Sequence, residues 1–130
     1  MRTVSPGVAF EILRDNPNLL ILDLRTENEY TGPLGHLAGA VNIPLDELDA
    51  LLEQIEGTPR DALLVYCRAD DECGEQGIAI LASHGFNFPF LLAGGVEAWR
   101  AAGYGTVGGE GTSGGDYDRL KMPETKKEKG

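Results

Sequence analysis

Short apolar runs of strand length alternate along the chain with helical patterns, and this alternation most constrains the fold. The run LLILDL at residues 19–24 is apolar at nearly every position, as expected for a strand covered on both faces. The segment LDELDALLEQI after Pro44 places its leucines on one helical stripe. Strands and helices that alternate through short connections indicate an α/β domain with a central, mainly parallel sheet flanked by helices.

The ends of these elements follow from capping residues and helix breakers. Ser5 and Pro6 have the residue types of an N-cap and a first helical position. Gly85 and Gly103 fit the C-terminal ends of two later helices. The predicted helices cover residues 6–14, 45–55, 74–84 and 96–102, and the predicted strands cover residues 19–24, 40–43, 62–66 and 88–92.

Composition narrows the classes of partner. A chain of 130 residues, 42% hydrophobic, supports one folded domain. Its net charge of -10 argues against nucleic acid or an anionic membrane surface as partner, since both need Lys and Arg facing them. The sequence shows no signal-peptide or membrane-spanning run, so a cytoplasmic protein is expected. The sequence does not indicate an oligomeric state.

The character of the sequence changes after Tyr104. Residues 105–130 are rich in glycine and lysine and carry few apolar side chains. Such a segment buries too little surface to offset its ordering entropy. We therefore predict a folded domain over residues 1–104 and a flexible C-terminal tail over residues 105–130.

A cysteine stands where a predicted strand ends, in the stretch LLVYCRADDECGEQGIAI. Ligands of parallel α/β sheets bind beyond the carboxyl ends of strands, where loops lead into helix N-termini. Free amides and the helix dipole there favour the thiolate of Cys67, which is the nucleophilic form of cysteine. The alternative is a buried core cysteine without reactivity.

The chain resembles the rhodanese-like domain family in four segments that occur in the family's order. They are ILDLRTENEY, GHLAGAVNIPLDEL, LVYC with its loop and helix, and FLLAGGVEAWRAAGY, and they cover about residues 5 to 104. The resemblance implies a three-layer α/β fold. It also implies a loop cysteine, here Cys67, that carries sulfane sulfur as a persulfide, without a metal or organic cofactor.

The same resemblance implies roles for other positions. Asp23 and Arg25 match the D-x-R after the first strand, where the arginine orders loops near the site or ties down its own turn. His36 matches the histidine of the family's G-H-I/L segment, and a structural role is expected for it. Gly94-Gly95 and Trp99 match G-G-x-x-x-W, in which the glycines permit a tight turn and the tryptophan fills the core. His84 is expected at the surface near a helix end.

The active-site loop departs from the family's pattern. The predicted substrate-binding loop consists of Arg68, Ala69, Asp70, Asp71, Glu72, Cys73 and Gly74. A typical active loop begins C-R-S-G and offers a cationic cradle, whereas here three acids oppose one arginine. These acids should repel thiosulfate, a dianion, so we expect weak thiosulfate turnover. Cys73 occupies the position where a C-x(5)-R phosphatase needs arginine, so phosphatase activity is not expected.

The leading hypothesis is a sulfurtransferase that takes sulfane sulfur from a small donor or a protein persulfide onto Cys67. It would then pass this sulfur to cyanide or a thiol. Cys73, six positions later, would act as a resolving thiol if the two Cα atoms lie within about 7 Å; otherwise its thiol turns inward in the first turn of the helix. Two alternatives remain: a catalytically weak binding or regulatory module, and a dithiol redox sensor that uses both cysteines.

Overall fold

A computed structural model describes residues 2–54 and 62–108 of the chain. The strands are β1 (Arg2–Val4), β2 (Leu20–Asp23), β3 (Val41–Asn42), β4 (Leu63–Tyr66) and β5 (Pro89–Leu92). The helices are α1 (Pro6–Asp15), α2 (Glu27–Tyr30), α3 (Leu45–Gln54), α4 (Glu72–Ser83) and α5 (Gly95–Ala101).

The five strands form one sheet in the order β1-β5-β4-β2-β3, and all four of its strand pairs are parallel. The predicted α/β class and the three-layer arrangement are confirmed. The strand β4 lies at the centre of the sheet, which explains why all four of its residues are buried. Its carboxyl end therefore opens at the middle of the sheet edge, where the loop after Tyr66 begins.

Alternate side chains of the central strands build two separate cores. Leu63 and Val65 of β4 face the core that contains α3 and α4 side chains. Leu64 and Tyr66 face the opposite core, which contains Trp99 and the apolar residues of α1. Because a strand alternates its side chains between faces, a continuous apolar run is what two covered faces require.

The cap of α1 agrees with the sequence prediction. The Ser5 hydroxyl accepts a hydrogen bond from the Val8 amide at 3.3 Å, and Pro6 is the first helical residue. The other predicted helices and strands are also found, with ends that differ by one or two residues. The predicted helix end at Ile55 and the breaker at residues 57–59 lie outside the described residues.

Two short elements were missed by the sequence analysis. The strand β1 has only three residues, and its pairing with β5 is decided by a contact distant in sequence. The helix α2 is a single turn in the polar segment after β2, with a capping box formed by Thr26 and Glu29. The spacing Thr-x-x-Glu is a signal that could have located this helix.

The folded part continues past the predicted boundary at residue 104. The backbone of Val107 pairs with that of His36, and the Trp99 Nε1 group donates to the Gly105 carbonyl at 3.0 Å. The Thr106 hydroxyl donates to the Leu34 carbonyl at 2.7 Å. Residues 105–108 therefore pack on the domain, and residues 109–130 of the predicted tail lie outside the described residues.

Within the described ranges, none of the helices combines the length and the apolar character needed to cross a membrane.

Candidate functional site

Cys67 immediately follows the central strand β4, as the sequence predicts. Its side chain is fully buried, and it belongs to the apolar core that faces α3 and α4. The loop that leads to α4 is shorter than predicted, because α4 begins at Glu72. Residues 68–71 form this loop, while Glu72, Cys73 and Gly74 form the first turn of the helix.

Cys67 and Cys73 are joined by a disulfide bond. Their Cα atoms lie 5.9 Å apart, inside the range that a disulfide requires. Placing Cys73 in the first helical turn brings its sulfur to the end of β4, so the inward orientation and the pairing with Cys67 occur together. The structure thus contains an oxidised cysteine pair, and not the free thiolate that the sequence predicts at Cys67.

Asp71 connects the loop to the neighbouring turn between β5 and α5. Its backbone has φ of 64°, a left-handed conformation that is uncommon outside glycine. Its carboxylate accepts hydrogen bonds from the Gly94 amide at 2.9 and 3.2 Å. Asp71 therefore holds the position of the loop, in addition to adding the negative charge that the sequence analysis considered.

The other predicted loop residues differ in exposure. Ala69, Asp70 and Glu72 are exposed, whereas Gly74 is buried, and a Cβ there would meet the Leu91 side chain. Two amides here already donate to loop residues: the Asp71 amide to the Arg68 carbonyl at 3.1 Å, and the Glu72 amide at the start of α4 to the Asp70 carboxylate at 3.2 Å. These two groups are not directed at a ligand in the oxidised form.

Arg68 forms a two-point ion pair with Glu29 of α2. Both its Nε and its Nη2 lie 2.8 Å from a carboxylate oxygen. The Nη1 group lies 3.9 Å from the Cys67 sulfur. The cation beside the sulfur is therefore largely offset by Glu29, a residue that the sequence analysis did not assign to the site.

Acid is expected to remove the stabilisation contributed by the Arg68–Glu29 pair. The hydrogen bond from Arg68, assisted by Thr26, lowers the pKa of Glu29 to about 2. Because this folded pKa lies below the unfolded value of about 4.3, the stabilisation is complete above that pH and is lost as the pH falls towards 2. Both side chains are more than one-third exposed, so we expect a contribution of about 1 kcal/mol or less.

Urea unfolding of wild type and Arg68→Met, at neutral pH and at about pH 3, measures this effect. The variant should lose less stability on acidification than wild type, by up to about 1 kcal/mol. The exposed Arg14→Met is the control and should retain the wild-type pH dependence. An Arg68→Met curve parallel to that of wild type would contradict the assignment.

Asp23 and Arg25 form a buried ion pair beneath the site. The Arg25 Nη2 group donates to Asp23 at 2.7 Å and to the Gly35 carbonyl at 2.7 Å. Burial, followed by the nearby Asp23 charge, raises the pKa of Tyr66 well above its usual value. The Tyr66 hydroxyl accepts from the Leu37 amide at 3.0 Å. Arg25 thus holds the segment before β3 in place through its bond to Gly35. Arg25 does not line the pocket beside the cysteine pair that is described below.

The two histidines lie away from the cysteine pair. The His36 ring is buried, stacks on Tyr30 with centroids 3.7 Å apart, and has its Nδ1 2.9 Å from the Tyr30 carbonyl. His84 caps the end of α4, with its Nε2 2.7 Å from Asp49. The ligand atoms of Asp49, His84 and the exposed Glu53 all lie within 4.8 Å of one another. Exposed acidic groups are commonly close together at protein surfaces without binding a metal ion.

A pocket of about 240 Å³ opens beside the disulfide. We call it the Cys73 pocket; its lining residues are Leu24, Thr26, Pro44, Leu45, Asp46, Arg68 and Cys73. A wider groove of about 520 Å³ adjoins it and shares Thr26, Pro44 and Asp46 with it. Because Glu27, Asp46 and Glu47 line the wider groove, we call it the acidic groove.

Fold and site together define a rhodanese-like domain, and comparison with known proteins agrees. The sequence profile of the rhodanese-like domain matches residues 9–102, so the chain belongs to this family. A similar solved structure is the solution NMR structure of a rhodanese-like domain from Anabaena sp., with a TM-score of 0.68 and 29% identity. That match covers 82% of this chain and 77% of the other.

Two curated relatives carry the name tRNA uridine(34) hydroxylase. The protein of Leptospira interrogans is 31% identical over 94 residues, which cover 69% of this chain and 25% of that protein. The protein of Bdellovibrio bacteriovorus is 29% identical over 96 residues, covering 72% and 27% respectively. The chain therefore spans about a quarter of the length of these curated relatives, and their name describes hydroxylation of a tRNA uridine and not sulfur transfer.

Proposed function

We propose that this domain transfers sulfane sulfur through Cys67 in its reduced form. The observation that carries the proposal is the position of Cys67, directly after the central strand β4 and before the loop that leads into α4. A helix N-terminus favours negative charge, and Arg68 Nη1 lies 3.9 Å from the sulfur. Both features support an anionic sulfur or persulfide at this position.

The transfer would proceed in two balanced steps after a thiol has reduced the disulfide. The Cys67 thiolate attacks the outer sulfur of a donor persulfide, which forms the Cys67 persulfide and releases the donor as a thiolate. An acceptor thiolate or cyanide then attacks the outer sulfur of the Cys67 persulfide and regenerates the Cys67 thiolate. In the reducing cytoplasm expected from the sequence, the dithiol would be the working form.

Thiosulfate is expected to be a poor donor. The positive charge of Arg68 is engaged by Glu29, while Asp70 in the loop and Glu72 at the start of α4 are exposed. A dianionic donor would approach this negative surface against repulsion, and the net charge of -10 adds to it. A neutral or cationic persulfide, or a persulfide on a protein, fits the proposal better.

A second candidate function is a dithiol redox pair, and the disulfide between Cys67 and Cys73 favours it. In this reading two thiols lose two hydrogens to an oxidant and regain them from a reductant. Hydroxylation, the activity named for the curated relatives, is not proposed, because the match covers only about a quarter of those proteins. A weak binding or regulatory module is the outcome expected if neither sulfur chemistry occurs.

Intact-mass analysis of wild type, Cys67→Ser and Cys73→Ser tests these functions. Each protein is reduced, freed of reductant and treated with a persulfide donor. Wild type and Cys73→Ser should gain the mass of a sulfur atom, and Cys67→Ser should not, because the Arg68 guanidinium that supports an anionic sulfur lies 3.9 Å from the Cys67 sulfur. Cys73→Ser should also hold its persulfide longer, since it lacks the thiol that displaces sulfide to close the disulfide.

The same measurement separates the candidates. Sulfur uptake by Cys67→Ser, or no uptake by either of the other proteins, would refute transfer through Cys67. A loss of two hydrogens with mild oxidant that requires both cysteines supports the redox pair. No mass change under either treatment supports a binding module.

A further inference from the structure

The two sulfurs of the disulfide differ in their access to solvent. Cys67 is completely buried, whereas Cys73 is 7% exposed and lines the Cys73 pocket. Cys67 does not line that pocket. A disulfide can be attacked at either sulfur, and access is one of the factors that decides which sulfur reacts.

We propose that thiols attack the disulfide at Cys73 through the Cys73 pocket, and that this pocket selects thiols that carry positive charge. The inference rests on the proposed function, and it names the class of thiol that reduces the disulfide between Cys67 and Cys73.

An incoming thiolate bonds to the Cys73 sulfur, and the bond between the two cysteine sulfurs breaks. The electron pair leaves on Cys67, which becomes the thiolate that the proposed transfer requires. A second thiolate then attacks the sulfur of the bound thiol, releasing an external disulfide and the Cys73 thiolate.

The environment of Cys67 suits a departing anion. Arg68 Nη1 lies 3.9 Å from the Cys67 sulfur, so a positive charge already faces the atom on which the electron pair leaves. The Arg68 guanidinium is fixed there by two bonds to Glu29, both 2.8 Å long. Attack at Cys73 therefore generates negative charge beside a positioned cation.

The charges around the Cys73 pocket indicate which thiol it accepts. Asp46 lines the pocket, is exposed, and forms no ion pair with any residue in the ranges 2–54 and 62–108. The acidic groove adjoins the pocket through Asp46 and adds Glu27 and Glu47. Arg68 is the cation of the pocket, and Glu29 offsets it. The local field therefore favours an ammonium group and disfavours a carboxylate next to the attacking thiol.

The site of attack can be identified by trapping the mixed disulfide. The oxidised chain of 130 residues is mixed briefly with limiting cysteamine, a cationic thiol, and free thiols are then blocked with a fast alkylating reagent. Trypsin cleaves after Arg68 and so separates the two cysteines into different peptides. We expect cysteamine on the peptide with Cys73 and the alkyl group on the peptide with Cys67.

The selectivity is tested by the rate at which the disulfide is reduced by cysteamine, mercaptoethanol and mercaptopropionate, which are cationic, neutral and anionic. Each rate in Asp46→Asn is divided by the wild-type rate, which cancels the intrinsic reactivity of each thiol. The quotient for mercaptopropionate should exceed that for cysteamine by about three- to tenfold, the effect of one charge within several ångströms near a surface. Glu53→Gln removes a charge from the same helix outside the pocket, and its two quotients should agree within about twofold.

Short blocked peptides distinguish a small thiol from a protein thiol as the source of the cationic group. If the peptide Lys-Cys-Lys reduces the disulfide faster than cysteamine does, the result points to a protein thiol with basic neighbours, which the acidic groove would accommodate. A rate lower than that of cysteamine points to a small thiol. Glu-Cys-Glu should be the slowest of the three in wild type, and a faster rate would overturn the charge selection.

Several results would overturn the proposal. The first is cysteamine found on Cys67, and the second is a charge dependence equal in Asp46→Asn and Glu53→Gln. The third is a reduced chain whose mass does not fall by two hydrogens when it is oxidised. Sulfur uptake by the reduced proteins is measured separately. Failure of that uptake would refute the proposed transfer, and the position of the trapped cysteamine would still be decided.

Discussion

Gly95→Ala should lower the free energy of unfolding by about 3 kcal/mol or more, since both its conformation and its surroundings require glycine. Gly95 has φ of 64°, and a Cβ there would meet the Cys67 carbonyl oxygen and lie 2.9 Å from the Arg68 backbone. These are backbone atoms at the end of β4, so no flexible side chain can move aside. Relieving the contact requires displacement of the cysteine-bearing loop.

Gly103→Ala is the matched control for this substitution. Gly103 has φ of 99°, yet a Cβ there would have no neighbour within 4 Å. The control should therefore show the backbone strain alone, about 1–2 kcal/mol. Urea unfolding of the reduced proteins measures both changes. If Gly95→Ala were no less stable than Gly103→Ala, the close approach of α5 to the loop would be refuted.

Arg25→Met should lower the free energy of unfolding by about 3–5 kcal/mol, because it leaves a buried carboxylate without its cation. Asp23 is 0% exposed and Arg25 is 2% exposed. The substitution also removes the donor to the Gly35 carbonyl. Both losses concern groups that water cannot reach, so the desolvation penalty is not recovered in the folded state.

The exposed Arg14→Met provides the control for the buried pair. Arg14 lies 3.6 Å from Asp15, and both side chains are more than half exposed, so the expected change is within about 0.5 kcal/mol. The double variant Asp23→Asn/Arg25→Met should be less destabilised than the sum of its two single variants, since no unpaired charge remains. An additive result in chemical denaturation would contradict a coupled buried pair.

The main elements of the fold could be predicted because their signals are local. The apolar run at residues 19–24 reflects the burial of one strand, and the leucine stripe after Pro44 reflects the burial of one face of a helix. The Ser5 cap can be predicted from adjacent residues. The strand β1 was missed because three residues carry no periodicity. Its place beside β5 depends on pairing across the whole domain.

The charges of the loop after Cys67 could not be assigned to partners from the sequence. Arg68 pairs with Glu29, which lies 39 positions earlier, and Asp71 binds the Gly94 amide, 23 positions later. Counting acids and bases along the loop treats every charge as free to face a ligand. The fold instead uses one acid to hold the loop and a distant acid to neutralise its arginine.

The amino-acid sequence by itself determined the layered α/β architecture and the position of Cys67 at a strand end, because apolar periodicity and helix caps act over a few residues. Only the tertiary structure decided that Cys73 bonds to Cys67 and that Cys73 alone of the two reaches the pocket. The physical reason is that access to a sulfur atom depends on how α3, α4 and the loop after β4 pack together. That packing is fixed by contacts between residues far apart along the chain.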